Sequence, residues 1–498
     1  MAYDVNHFIG GKMVEGKSGR FGDIYNPSIG EVQGRVALAS KAEVEAAIAT
    51  AEGMFPEWSS TSVVTRGRII QKFLQLLYAN IDELAELVSR EHGKVITDAK
   101  GSVQRGIEVV EFACGIPHLL KGEYSDNVST GVDIYSMRKA LGVCAGITPF
   151  NFPAMIPMWM APMAIACGNT FVMKPSEKDP SCPMRIAEIF KEAGLPDGVL
   201  NVVNGDKEAV DTLLTDPRVK AVSFVGSTPI ARYVYATATA HGKRCQAMGG
   251  AKNHMIIMPD ADLDLVTDAL MGAAYGSAGE RCMAISVGVT TDDRVADKLV
   301  NMLKPRVETL KVGYSLDPAS EMGPLVTREH WNKVKGYIDL GEQEGAEVVV
   351  DGRDLKLQGY ENGFFMGGTL FDKVNTESRA YKEEIFGPTL QIVRAKSADE
   401  AFRLPTIHEY GNGTSIFTQN GHAARSYADK VEVGMVGINI PIPVPLAFHT
   451  FGGWKNSAFG DHNTMGMQAV HFYTKIKTVT TRWPTQRTGA EFDLPTLK

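Results

Sequence analysis

Apolar residues recur three and four apart over three stretches early in the chain, Lys41–Trp58, Thr65–Ile96 and Asp98–Leu120; Ile69, Phe73, Leu76 and Leu77 are one such set. That spacing lines one face of a helix, so three helices are predicted. Before them, to about Ser40, short apolar runs between glycines predict strands and turns. After Gly131, β-prone residues gather at Val132, Ile134, Tyr135, Leu141 and Val143 and predict a hairpin over Gly131–Ile147. The pattern then alternates. Helices are predicted at Asn151–Cys167, Pro183–Ala193, Lys207–Thr215 and Thr228–Ala240, and strands at Thr170–Lys174, Val199–Val203, Ala221–Val225 and Met255–Met258. Short β-branched strands between helices imply a parallel sheet covered on both faces. A second α/β stretch runs from about Asp260 to Phe451, and the tail Val470–Arg482 is β-prone.

A chain of 498 residues is too long for one hydrophobic core, so two large domains are expected, dividing near Gly250. The uncharged run Ala140–Met173 is long enough to span a membrane, but Pro149, Pro153, Pro157 and Pro162 interrupt it, which argues for a soluble fold. A formal charge of −7 argues against nucleic acid or an anionic membrane as partner. The six cysteines include no C-x-x-C pair, and Met1–Gly11 has no targeting character; a reduced, cytoplasmic protein is expected.

Familiar signatures such as G-x-G-x-x-G, G-x-S-x-G and H-E-x-x-H are missing. Asp260-Ala-Asp262-Leu-Asp264 imitates the start of a calcium loop, yet Leu265 stands at the turn glycine and Met271 at the closing Glu. These aspartates are expected to favour the positive end of the next helix, and no metal site is expected. Five other pieces carry more: Pro149-Phe-Asn-Phe-Pro153, Lys174-Pro-Ser-Glu177, Phe224-Val-Gly-Ser-Thr228, Gly279-Glu-Arg-Cys-Met283 and Glu384-Ile-Phe-Gly-Pro388. Cys282 has small neighbours and an adjacent cation, Arg281, which would favour a reactive thiolate. Glu177 follows a predicted strand end, and Ser227 lies between strand and helix, where a phosphate finds free N–H groups.

In this order and spacing the five pieces resemble the aldehyde dehydrogenase family over nearly the whole chain. The resemblance implies two doubly wound α/β domains plus a small β element for oligomerisation. Residues 1–122 and 145–250 would bind NAD, 251–450 would carry the catalytic Cys282, and 123–144 with 466–498 would supply oligomerisation strands in a dimer or tetramer. It implies that Asn151 donates to the oxyanion formed when the Cys282 thiolate adds to an aldehyde; an N-cap role for Asn151 is the plainer alternative. It assigns the cofactor to Thr148, Phe150, Lys174, Glu177, Lys178, Gly226, Ser227, Gly249, Glu384 and Phe386. A carboxylate at Glu177 suits NAD over NADP, because it accepts from free ribose hydroxyls.

One stretch departs from the family. Most members carry a Glu before paired glycines, in a run close to Glu-Leu-Gly-Gly-Lys, and that Glu activates water. Here the run is Gln246-Ala-Met-Gly-Gly-Ala-Lys-Asn-His254, with no carboxylate. This run and the Cys282 segment look like one branch, the CoA-acylating methylmalonate-semialdehyde dehydrogenases, in which coenzyme A is the acceptor. The branch implies a substrate carboxylate held by Arg105 and Arg281, although Arg105 could instead pair with Glu108 at i,i+3. Oxidation would leave a thioester β to a carboxylate, which loses CO2 readily and passes an acetyl or propanoyl group to CoA. A hydrolytic dehydrogenase releasing free acid is the main rival; a non-catalytic binding protein would usually have lost Cys282 or Asn151.

Overall fold

The computed structural model describes residues 3–484. The larger sheet has eight strands in the spatial order Ala458–Phe459, Arg244–Met248, Val219–Val225, Val143–Ile147, Thr170–Lys174, Leu200–Val202, His7–Ile9 and Lys12–Val14. From Arg244–Met248 to Leu200–Val202 the strands run parallel. Val143, Ala145 and Ile147 enter one core with Val44, Ile48 and Leu213, while Cys144, Phe171 and Met173 enter another with Met160 and Ile165. The sheet is therefore buried on both faces, which is why its strands read as unbroken apolar runs. Strand order reverses between Val143–Ile147 and Val219–Val225. At such a reversal the loops leaving adjacent strand ends diverge and open a crevice. The loops leaving here begin at Thr148 and Gly226, so topology alone brings two of the five pieces together.

The chain passes to a second sheet between Met248 and Asn253. That sheet has seven strands, ordered Glu347–Val350, Thr369–Asp372, Thr389–Arg394, Ile285–Thr290, Asn253–Ile257, Gly413–Phe417 and Met435–Ile438, parallel except at Glu347–Val350. A separate three-stranded antiparallel sheet joins Tyr124–Ser129, Val132–Ala140 and Thr474–Arg482. Another small sheet holds Tyr3–Val5, Phe21–Asn26 and Glu31–Ala37.

Several expectations need correction. The single helix over Thr65–Ile96 is two, Val63–Ala79 and Ile81–His92, because the Asn80 side chain donates to the Leu76 carbonyl at 2.7 Å and ends the first. Asp98–Leu120 likewise divides into Ile96–Cys114 and Ile116–Leu119. The hairpin over Gly131–Ile147 does not form: Val132–Ala140 and Val143–Ile147 belong to different sheets. Asn169 Oδ1 accepts from the Leu141 and Gly142 amides and fixes the chain where it changes sheet. The helix expected from Asn151 starts at Met155, since a residue before proline is driven to extended backbone; Asn151 is not its cap. The tail begins with a helix, Gly466–Phe472, before its strand. Its expected end, 485–498, lies outside the described residues. Asp262 does cap the helix Leu263–Tyr275, and no helix among the described residues is long and apolar enough to cross a membrane.

Candidate functional site

Cys282 is delivered by an unusual turn. After the helix Leu263–Tyr275, Ser277, Ala278 and Gly279 all have positive φ, at 55°, 51° and 72°. Non-glycine residues pay roughly 1–2 kcal/mol each for that conformation. Gly279 cannot be larger, because a Cβ there would sit 2.1 Å from the Gly387 carbonyl oxygen. The Cys282 segment and Glu384-Ile-Phe-Gly-Pro388 thus touch backbone to backbone. Asn253 Nδ2 donates to the Cys282 and Ala284 carbonyls at 2.9 Å, and Asn412 Nδ2 to the Cys282 carbonyl at 3.1 Å, so the nucleophile's backbone is held from two strand ends.

Two cavities meet at Cys282. One, of about 310 Å³, lies at the crevice of the larger sheet and is lined by Phe150, Asn151, Lys178, Gly226, Ser227, Gly249, Glu384 and Phe386. The other, of about 340 Å³, is lined by Asp98, Arg105, Arg281 and an apolar wall that includes Phe152, Trp159, Ile442 and Phe451. The first is the more polar of the two, and four of the five pieces line it, all but Lys174-Pro-Ser-Glu177. The second is mainly apolar, with Asp98, Arg105 and Arg281 as its charged residues.

Of the other expected residues, Thr148, Lys174 and Glu177 line neither cavity, and Ser227, Lys178 and Glu384 line the first. Ser227 is the N-cap of the helix Thr228–Ala240, with no side-chain capping bond. Lys174 is buried at the end of its strand and donates to Glu177 Oε2 at 3.3 Å. Burial alone would raise the Glu177 carboxyl, but Lys174 holds it below the usual range. Thr148 Oγ1 is buried without a partner among the described residues. Lys178 Nζ lies 4.8 Å from the Phe150 ring centre. Glu384 accepts from the Ala251 amide at 2.8 Å, and burial pushes its carboxyl up.

A match to the model of the aldehyde dehydrogenase family extends over residues 13–479. The chain belongs to the aldehyde dehydrogenase family. Among curated relatives, malonate-semialdehyde dehydrogenase of Pseudomonas aeruginosa is 56% identical over 495 residues, 99% of each chain. The human mitochondrial acylating methylmalonate-semialdehyde/malonate-semialdehyde dehydrogenase is 47% identical over 479 residues, 96% of this chain and 89% of the other. Among solved structures, a proposed methylmalonate-semialdehyde dehydrogenase from Sinorhizobium meliloti 1021 complexed with NAD superposes with a TM-score of 0.97 at 58% identity, covering 98% of this chain and 99% of that one.

Within this aldehyde dehydrogenase frame the charges differ from expectation. Arg281 turns to a carboxylate, its Nη2 donating to Asp98 Oδ1 at 2.7 Å, while desolvation, followed by the Glu384 charge, pushes the Cys282 thiol up to about 12. Arg105, which lines the second cavity, does pair with Glu108, as its plainer alternative had it, but its Nη2 also donates to the Pro445 carbonyl at 2.6 Å. Sequence reasoning missed Asp98 and a buried group around it. Lys94 Nζ donates to the Asn151 carbonyl at 2.7 Å, and burial lowers Lys94 to about 8. Glu280, raised by burial to about 8, lies between His92 and His330, at 3.5 and 3.6 Å. The run Glu91-His-Gly-Lys94 was a signal, charged residues in a helix end that proves fully buried, but the unbroken-helix reading concealed it. Where the family carries its water-activating Glu, Ala247 and Met248 close a strand with buried side chains.

Proposed function

We propose that the chain oxidises malonate and methylmalonate semialdehyde with NAD and transfers the decarboxylated acyl group to coenzyme A through a thioester on Cys282. The observation that carries this is the meeting of two unlike cavities at one thiol, with arginines in the apolar one. The polar cavity fits NAD. The helix end at Ser227 offers unpaired N–H groups to a diphosphate, the unpartnered Thr148 hydroxyl and Lys178 lie at the same crevice, and Glu384 and Glu177 are acceptors for ribose hydroxyls. Phe150, Phe386 and the small Gly226 and Gly249 shape the walls. Lys174, being buried, acts by holding Glu177. The relative complexed with NAD supports the same reading.

In the second cavity Arg281 and Arg105 face the substrate carboxylate, whose oxygens take the place of protein acceptors. The aldehyde carbon then lies against Cys282, and the Asn151 amide, which makes no side-chain bond among the described residues, donates to the oxygen as sulfur adds. Bound NAD supplies the acceptor for the hydride that leaves this carbon. The resulting thioester stands β to the carboxylate; loss of CO2 sends the electron pair into the thioester carbonyl as an enolate, a proton adds at the carbon that lost CO2, and the CoA sulfur then displaces Cys282, its proton passing to the departing Cys282 sulfur. We place the protein in the cytoplasm, as a homo-oligomer joined through the free edges of its three-stranded sheet. With NAD and malonate semialdehyde but no CoA, one equivalent of NADH should form rapidly and then stall, because no carboxylate activates water from the Ala247–Met248 position. CoA should restore turnover and give acetyl-CoA. Full-rate turnover without CoA, releasing free acid, would overturn the acylating reading.

A further inference from the structure

The geometry points to Lys94 as a positioning residue that sets the Asn151 amide against the aldehyde oxygen; this rests on the proposed oxyanion role of Asn151. Lys94 is 1% exposed, and its ammonium meets two successive residues of one loop. Nζ donates to the Asn151 carbonyl at 2.7 Å and lies 4.0 Å from the Phe152 ring centre. Those two residues face different cavities, Asn151 the polar one and Phe152 the apolar one. The loop carrying them has just left the sheet at Ile147 and has not yet begun the helix at Met155, so no ladder or helical bond fixes the Asn151 carbonyl. Lys94 supplies that bond.

The root of Lys94 is itself held. Gly93 has φ 94° and packs against Pro324 and Pro27, and the Lys94 amide donates to His92 Nδ1 at 3.2 Å. A charge so deeply buried needs neighbours of opposite sign. The Asp98 carboxylate supplies one, and Asp98 is also the partner of Arg281. One cation therefore joins the oxyanion donor to the residues facing the substrate carboxylate. Displacing a reacting group by about 1 Å can cost about a hundredfold in rate, so a lost tether should register in the chemical step.

The test is a double-mutant cycle on the NADH burst, followed in single turnover with malonate semialdehyde and NAD. Asn151→Ala should slow the burst about a hundredfold. Lys94→Met should slow it at least about tenfold in the wild-type background, leave the NAD dissociation constant within about twofold, and cost less than about twofold when Asn151 is already Ala. An equal loss in both backgrounds would overturn the proposal, since Lys94 would then act elsewhere. A burst unchanged by Lys94→Met would overturn it as well. If Asn151→Ala itself leaves the burst unchanged, the oxyanion reading has failed instead, and the positioning role with it. Should Lys94→Met not fold, as judged by circular dichroism, Lys94→Gln takes its place in the same cycle with the same criteria.

Discussion

At the residue scale, the nucleophile and its sequence neighbour behave differently from what adjacency suggests. Arg281 follows Glu280 and precedes Cys282, yet its guanidinium turns to Asp98, and the thiol is governed by burial and the Glu384 charge. A neutral thiol is unreactive, and the thiolate fraction rises tenfold per pH unit until the pKa is reached. With the thiol pushed up to about 12, iodoacetamide alkylation of Cys282 in the cofactor-free protein should still be accelerating at about pH 9. A plateau near neutral pH, measured by the rate of activity loss, would show a thiolate stabilised by a cation after all. The motif marks Cys282 legibly; its proton affinity depends on what folds against it, which adjacency does not disclose. Asp98 and Lys94 were illegible for the same reason, since each acts on residues more than fifty positions away.

At the element scale, the regular α/β part read well. Thr170–Lys174, Lys207–Thr215 and Thr228–Ala240 have the bounds that periodicity assigned them, because buried strands and amphipathic helices leave contrasting patterns. The misreadings fall where a single polar side chain redirects the chain, Asn80 ending a helix and Asn169 moving a strand between sheets. Pairing partners were also hidden: nothing local tells Val132–Ala140 that it will meet Thr474–Arg482. The helix Ile96–Cys114 connects element to site, since it carries Asp98 and Arg105 and crosses the buried helix Met155–Ala166 closely. At Gly106 a Cβ would come within 2.4 Å of Met158 Cε and 3.1 Å of Met155 Cα. Gly106→Ala should therefore separate the helices and cost about 1–3 kcal/mol, read as a lower denaturation midpoint with an unchanged slope. Stability equal to wild type would mean that Met158 yields freely.

At the scale of the whole molecule, the three-stranded sheet stands apart from both large sheets, and its tail strand pairs within the same chain rather than waiting for a partner. That leaves the outer edge of Thr474–Arg482 with Ile476 61% exposed, an aggregation-prone feature that an oligomer would cover. Ile476→Glu should lower the sedimentation coefficient toward that of a smaller species at equal concentration, while an unchanged value would place the interface elsewhere. The buried Ala247 and Met248 have a broader consequence. An oxidation that ended in hydrolysis would dissipate the energy of the aldehyde as heat. With no carboxylate at those positions to summon water, that energy stays in a bond the cell can draw on, and the enzyme halts when the acceptor runs out. On the proposed acylating reading, two apolar side chains at the end of one strand make the rate of carbon flow answer to the supply of free CoA.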